Sequence, residues 1–448
     1  MSLLRLALLR MPSVSLSLVL YTAGSMVPAQ AQSLLELYGS ARGYDASWQA
    51  AKAQFDANLF RAAQSRAGLL PSANLGLGAS RTQFDNSNPS IERGFGNQSA
   101  TVSGSQPLYR PANVATYRQG QRAVELAEAQ LQGAGQDLII RVSQAYFDVL
   151  AAQDTLAFVQ AQKIAVNEQL AFAKRNFEVG TSTITDTREA QARFDLVVAQ
   201  EIAAENDLRV RRLALDTLVG RTDTRPTPLA LPLVLPPPLP ANVDAWVEQS
   251  EHSSPQVQQA RSNVEIAQLE TEKAKAGNLP TVDLTASYNI TRNPQGGTVS
   301  TLSSRTNNGQ LGVSLNLPLF AGYSIQNRIR ETLSLEERAQ ADLEAARRNV
   351  AQATRSAYFG VVSGQGQVRA LEAAEASSQS ALEANRLGYQ VGVRINIDVL
   401  NSQSQLFQTR RDLAQARYNV LLGDLRLRQA NGTLAAEDLA RLNALLVR

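Results

Sequence analysis

Few side chains in this sequence could do chemistry. It has no cysteine and one histidine, His252, so no thiol nucleophile, disulfide or Cys/His zinc site can be built. No G-x-x-x-x-G-K-[ST] phosphate loop, H-E-x-x-H zinc pair or G-x-S-x-G elbow occurs in its 448 residues, which argues against an ATPase or hydrolase. A carboxylate-only metal site has no signature either, so the expectation is no catalytic residue, no cofactor and no metal. What does recur is an aspartate in a fixed setting. Tyr389-Gln-Val-Gly-Val-Arg-Ile-Asn-Ile-Asp-Val-Leu-Asn401 has a twin 212 residues earlier, Phe177-Glu-Val-Gly-Thr-Ser-Thr-Ile-Thr-Asp186, which matches Gly180 to Gly392 and Asp186 to Asp398. In each, the glycine supplies permissive backbone for leaving a helix, and the aspartate stands where helical patterning resumes. At the least such an aspartate starts a helix. A pair of solvated caps in a duplicated bundle is the plain alternative to any further role.

The elements that hold these turns are themselves duplicated. Residues 32–220 form a first repeat and 242–432 a second, joined by a linker at 221–241 and followed by a C-terminal segment at 433–448. Each repeat opens with a helical pattern that stops at a proline, Gly68-Leu-Leu-Pro71 or Gly277-Asn-Leu-Pro280. The period then changes to two, the signature of strands. Leu75, Leu77 and Ala79 alternate with Gly76 and Gly78 in the first repeat; Val282, Leu284, Ala286, Tyr288 and Ile290 alternate with Asp283, Thr285, Ser287 and Asn289 in the second. The patterns predict β-hairpins over 72–108, with a polar loop at 85–97 and a weaker returning strand at 99–108, and over 281–319. Strands of roughly ten residues can cross a bilayer when tilted. Four cannot close a barrel, so if they span, several chains must share one. A soluble β-layer capping a helical bundle is the alternative.

A helical run follows each hairpin, over 112–177 and 325–389, on the order of 100 Å long at the usual rise. Leu131, Leu138, Val142, Ala145, Val149 and Leu156, like Leu343, Ala346, Val350, Ala353 and Ala357, recur at coiled-coil spacings. Return helices are expected over 186–220 and 398–432, packed antiparallel on the long ones. Between the repeats, Pro226 to Pro240 holds seven prolines in fifteen residues, which forbids helix and strand and reads as an extended strap. At the other end, Arg5 and Arg10, the apolar run from Val14 to Tyr21 and Ala29-Gln30-Ala31 read as a signal peptide over 1–31, and hence export. Its removal takes two of the 43 basic side chains and none of the 40 acidic ones, leaving a charge near +1, which gives no reason to expect nucleic acid.

Over essentially the whole mature chain the sequence resembles the TolC family of outer-membrane channel-tunnels. The resemblance is carried by Leu34-Leu-Glu-Leu-Tyr38, Gly68-Leu-Leu-Pro71, Ala145-Tyr-Phe147, Ala357-Tyr-Phe359, Pro318-Leu-Phe-Ala-Gly322, Tyr389-Gln-Val-Gly392, Ile397-Asp-Val-Leu400 and Ala416-Arg-Tyr-Asn419. It implies an α+β membrane protein and a homotrimer. Four strands per chain would join a shared twelve-stranded transmembrane β-barrel, and the antiparallel coiled coils would form an α-helical barrel through the periplasm, closed at the tip turns. It also implies roles at the tip. The family's two acidic rings at the constriction match Asp398 and Asn401, the second being an amide here. Three carboxylates on a narrow axis disfavour one another's ionisation and attract cations. The closed-state latch matches Tyr389 and Arg394 as donors with Thr185 and Asp186 as partners, although Val393 and Ile395 depart from the more polar residues expected beside them. The turns at Gly180 and Gly392 would face a periplasmic adaptor, or membrane fusion protein. The implied function is a passive outer-membrane exit duct for type I protein secretion, multidrug efflux or both, working with that adaptor, an inner-membrane ABC or proton-driven transporter, and outer-membrane lipid. A periplasmic structural or adaptor coiled coil without a pore is the alternative.

Overall fold

The computed structural model describes residues 31–447 apart from 89, 231 and 299; the expected signal peptide lies outside the described residues, save Ala31. Two short helices, α1 (Leu34–Tyr44) and α2 (Ala46–Ser65), lead through a 3-10 turn into strands β1 (Ser72–Ser87) and β2 (Ser90–Tyr109). The chain then runs down α3 (Pro111–Glu178) and back up α4 (Ile184–Val219). The second half repeats the order with α5 (Val243–Ser253), α6 (Pro255–Lys275), β3 (Thr281–Asn293), β4 (Ser304–Asn316), α7 (Ser324–Gln390) and α8 (Asn396–Asn431). A last helix, α9 (Ala436–Asn443), occupies the C-terminal segment, to which the sequence assigned no element.

The helices start where local chemistry favours it. Asp45 caps α2 by accepting the Trp48 N–H at 2.7 Å and also holds Arg141 of α3 through both terminal guanidinium nitrogens, at 2.7 and 3.0 Å. Proline opens both α3 and α6, where its missing N–H would be unpaired anyway. Each half places a tyrosine of its Ala-Tyr-Phe segment, 212 residues apart, against the strap. Tyr146 donates to the Thr227 carbonyl at 2.7 Å and Tyr358 to the Ala241 carbonyl at 2.5 Å. The proline-rich linker is therefore pinned at both ends by a matched pair of hydroxyls, with Trp246 Nε1 on the Pro240 carbonyl at 2.8 Å as a third tie. Around the first clamp lies the largest core, where Leu34, Leu138, Tyr146, Leu215, Leu425 and Leu439 draw α1, α3, α4, α8 and α9 together. Smaller clusters continue towards the tip, one around Val166, Leu170, Val197 and Leu400, another around Leu382, Val399 and Leu406.

The four strands form one antiparallel sheet in the order β1-β2-β3-β4. Register aligns Leu75 with Val102, Val102 with Tyr288, Ala286 with Leu311 and Val282 with Leu315, so these share a face. Leu75, Leu77, Leu311 and Leu315 on it are at least two-thirds exposed. The opposite face carries Thr101, Ser103, Ser287, Asn289 and Gln310. Among the described residues β1 and β4 each lack a partner on one side. An uncovered apolar face is costly in water and suited to lipid, and open edges carry backbone groups that a membrane interior cannot satisfy. No described helix is long and apolar enough to cross a membrane.

The first hairpin departs from expectation. Residues 85–87 and 90–97 are not a loop but a continuation of β1 and β2, with Phe84 opposite Arg93 and Asp85 opposite Glu92. Beyond Gln98, which pairs with Arg292, β2 has lost β3 and is held by polar ties to the loop after β3. Arg93 Nη1 donates to the Gly297 carbonyl at 2.8 Å and the Gly96 N–H to Gln295 Oε1 at 2.9 Å. Backbone pairing satisfies such a ribbon whatever its side chains, and its Asn, Gly and Ser content marks contact with water rather than irregularity.

Candidate functional site

The two turns that join long to return helix have the same backbone. At the end of α3 the Val179, Gly180 and Thr181 N–H groups donate to the Arg175, Phe177 and Asn176 carbonyls; at the end of α7, Val391, Gly392 and Val393 donate to Leu387, Tyr389 and Gly388. Gly180 and Gly392 have φ of +77° and +81°, and a Cβ on either would meet open space. Glycine is needed there for its backbone freedom, not for room.

After the turns the halves diverge, and the divergence separates the two aspartates. Asp186 is the third residue of α4, and Thr183 caps that helix. The Thr183 hydroxyl accepts the Asp186 N–H at 3.2 Å, while Asp186 Oδ2 accepts the Thr183 N–H at 3.0 Å and hydroxyl at 2.9 Å. This is a reciprocal capping box. Asp398 holds the same place in α8, but its cap residue is Ile395, which makes no side-chain hydrogen bond. The Asp398 carboxylate is thus not consumed by a cap. It sits about one-third exposed, with Arg394 Nη1 at 3.7 Å from its Oδ2. The stem of Arg394 lies across Gly388, where a Cβ would come within 2.7 Å of it. A threonine against an isoleucine three residues before the aspartate is a signal the sequence carries, and it separates a spent carboxylate from an available one.

Within one chain, then, Arg394 pairs with Asp398 and not with Asp186. Thr185 is exposed and touches neither Arg394 nor Tyr389 through a hydrogen bond among the described residues. Tyr389 packs edge-on against Phe172 of α3, ring centroids 5.8 Å apart, and its hydroxyl is enclosed without a hydrogen-bond partner. Burial raises its pKa above the usual tyrosine value, the neighbouring Asn176 side chain opposes the rise, and the Asp186 charge adds to it. Asn401, one turn along α8 from Asp398, accepts from Arg193 Nη2 of α4 at 2.9 Å.

A further residue binds the halves at the tip. Asn396, fully buried, accepts from Gln169 Nε2 of α3 through its Oδ1 and donates through Nδ2 to the Asp186 carbonyl at 3.2 Å. It joins both helices of the first pair to the start of the second pair's return helix. Nothing in the local sequence marks it, because its role depends on α3, α4 and α8 converging. Among the described residues, no group of three or more His, Cys, Asp or Glu is placed to hold a metal ion.

A protein-family profile described as outer membrane efflux protein matches residues 37–221 and 246–433. The outer membrane protein TolC of Vibrio cholerae serotype O1 is 34% identical over 414 residues, covering 92% of this chain and 94% of the relative. The proteases secretion protein PrtF of Dickeya chrysanthemi is 31% identical over 452 residues, 97% of this chain and 95% of the relative. Among solved structures, the outer membrane protein VceC of Vibrio cholerae superposes with a TM-score of 0.76 at 20% identity, covering 89% of this chain and 96% of that one.

Proposed function

The chain belongs to the outer membrane efflux protein family, and on that premise we propose how its parts serve as an outer-membrane exit duct for secreted proteins, small toxic compounds or both. The observation that carries the reading is the joining of one element to another. A sheet with an exposed apolar face and two open edges runs directly into helices of 68 and 67 residues, on the order of 100 Å long. The sheet belongs in the outer membrane, and the helices reach from it into the periplasm. The family is one of channels rather than enzymes.

The assembly we infer is a homotrimer, whose neighbouring chains supply the missing strands and close a twelve-stranded barrel. The tip is the entrance. Asp398, uncommitted to capping, is suited to a ring of three carboxylates, with Asn401 forming an amide ring one turn along α8. The latch falls into two parts. Tyr389, enclosed beside Phe172 and close enough to the Asn176 side chain and to Asp186 to feel both, has a hydroxyl proton that an acceptor across the latch could take. Arg394 is engaged within its own chain by Asp398, so its reach to Thr185 or Asp186 requires a change of rotamer or a neighbouring subunit. The turns at Gly180 and Gly392 are exposed and present the surface for a periplasmic adaptor, which would couple the duct to an inner-membrane transporter of the ABC or proton-driven kind. The mass of the detergent-extracted protein and its currents in a planar bilayer test this reading. A trimer that conducts supports it; a membrane-free oligomer that never conducts would return the chain to a poreless periplasmic coiled coil.

A further inference from the structure

Just inside the tip, where α3, α4 and α8 converge, lies a polar cavity of about 440 Å³ between Gln162, Arg193 and Gln200 on one side and Asn401, Ser404 and Arg411 on the other. Its two guanidinium groups differ from three nearby cations. Arg410, beside Arg411, is paired with Glu375 at 2.9 Å; Arg417 with Glu372 at 2.9 Å; Lys163 with Glu201 at 2.5 Å. Arg193 and Arg411 instead donate to the neutral oxygens of Asn401 and Gln408. Neither has a carboxylate within 4.0 Å among the described residues; Asp412 is reached only through Gln408, whose Nε2 donates to it at 2.8 Å.

The neutral groups around them are also incomplete. Ser404 Oγ and Gln200 Oε1 are enclosed without hydrogen-bond partners, and Gln162 is 5% exposed. Enclosed polar groups are ordinarily paired, so a cluster of orphans facing two uncompensated cations points to a missing partner. That partner must bring negative charge and several acceptor oxygens. Half a turn of the Gln200 amide exchanges its oxygen for N–H donors, which adds a donor to the cavity lining.

We propose that this cavity is an oxyanion site for phosphate- or sulfate-class groups. Arg193 and Arg411 supply the charge, and Ser404, Gln162 and Gln200 supply neutral donors. The amide at 401 is what makes the site possible, because a carboxylate there would neutralise Arg193. Its effect on conduction rests on the reading of Asp398 and Asn401 as the constriction, which would set a basic belt immediately behind an acidic ring. Binding itself does not depend on that reading.

The test uses the full-length detergent-solubilised oligomer and inorganic pyrophosphate, followed by titration calorimetry. The unaltered protein is expected to bind one pyrophosphate per chain. Arg193→Gln with Arg411→Gln should weaken binding by about tenfold or more, Asn401→Asp should weaken it in the same direction, and the Arg193→Lys with Arg411→Lys protein, which keeps both charges, should bind more tightly than the glutamine pair. No saturable binding by the unaltered protein, or equal affinity in the glutamine pair, overturns the proposal. Currents in a planar bilayer separate the two readings. Pyrophosphate that binds at this site without reducing current leaves the oxyanion site standing and removes the constriction from its neighbourhood. Reduced current that persists in the glutamine pair overturns the site.

Discussion

Asn396 offers the sharpest test of whether contacts between the helix pairs hold the tip closed. Its buried amide links Gln169 and the Asp186 carbonyl, so Asn396→Ala removes two hydrogen bonds between the helix pairs and leaves their partners enclosed. At about 1 kcal/mol net for each bond, with a further share for groups stranded away from water, the loss is about 2–3 kcal/mol. If the pairs separate when the tunnel opens, this interaction exists only in the closed state, and its loss shifts the closed-to-open ratio by roughly 30-fold to 150-fold. Asn396→Asp keeps an acceptor for Gln169 and loses the donor to Asp186, so it should fall between the two. Single-channel recording in planar bilayers reads the shift as a larger conductance or a longer dwell in the conducting state. An Asn396→Ala protein that assembles normally and conducts with the amplitude and dwell times of the unaltered one refutes the reasoning, since the amide would then hold the fold and not the gate.

Three further outcomes follow from the structure. Arg394→Ser combined with Tyr389→Phe is expected to raise single-channel conductance, and unchanged conductance would remove both from the closed state. Tyr146→Phe with Tyr358→Phe strands the Thr227 and Ala241 carbonyls that pin the strap and should cost about 2–4 kcal/mol, seen as a lower melting temperature and faster proteolysis between 226 and 241; cleavage at the original rate would show the strap to be held by packing alone. Asp154, mostly buried and accepting the Tyr418 hydroxyl at 2.6 Å, has its pKa raised above the ordinary 3.8 by desolvation. A raised carboxyl favours the folded state fully below 3.8 and loses that contribution as pH climbs through the folded value. Asp154→Asn, which can still accept from Tyr418, should therefore flatten the fall in melting temperature over that window, and an unaltered slope would place its origin elsewhere.

Much of this architecture is written in periodicity. The seams through Leu131 to Leu156 and Leu343 to Ala357 set the long helices, and the alternation from Val282 to Ile290 sets β3, because a helix stripe and a strand face are local properties of the chain. The tip turns were legible for the same reason, since Val-Gly in each needs only its own backbone. The outer end of the first hairpin was not, because strand pairing at 85–97 rests on backbone bonds that Asn, Gly and Ser neither announce nor oppose. The aspartates are half legible: both stand at helix starts, and Thr183 against Ile395 marks which of them its cap consumes. The partners of Asn396, Asn401 and Arg193 could not be read at all, for each contact joins helices some 200 residues apart in sequence.

The central claim is that the Asp398 carboxylate, which no cap consumes, governs entry to a pore. The direct measurement is ion selectivity of the purified protein in a planar bilayer, for the unaltered chain and for Asp398→Ala. The account predicts small, cation-selective currents that lose their cation preference, and their block by multivalent cations, in the variant. Currents whose selectivity survives the substitution, or no currents from a correctly folded, membrane-inserted oligomer, would contradict it.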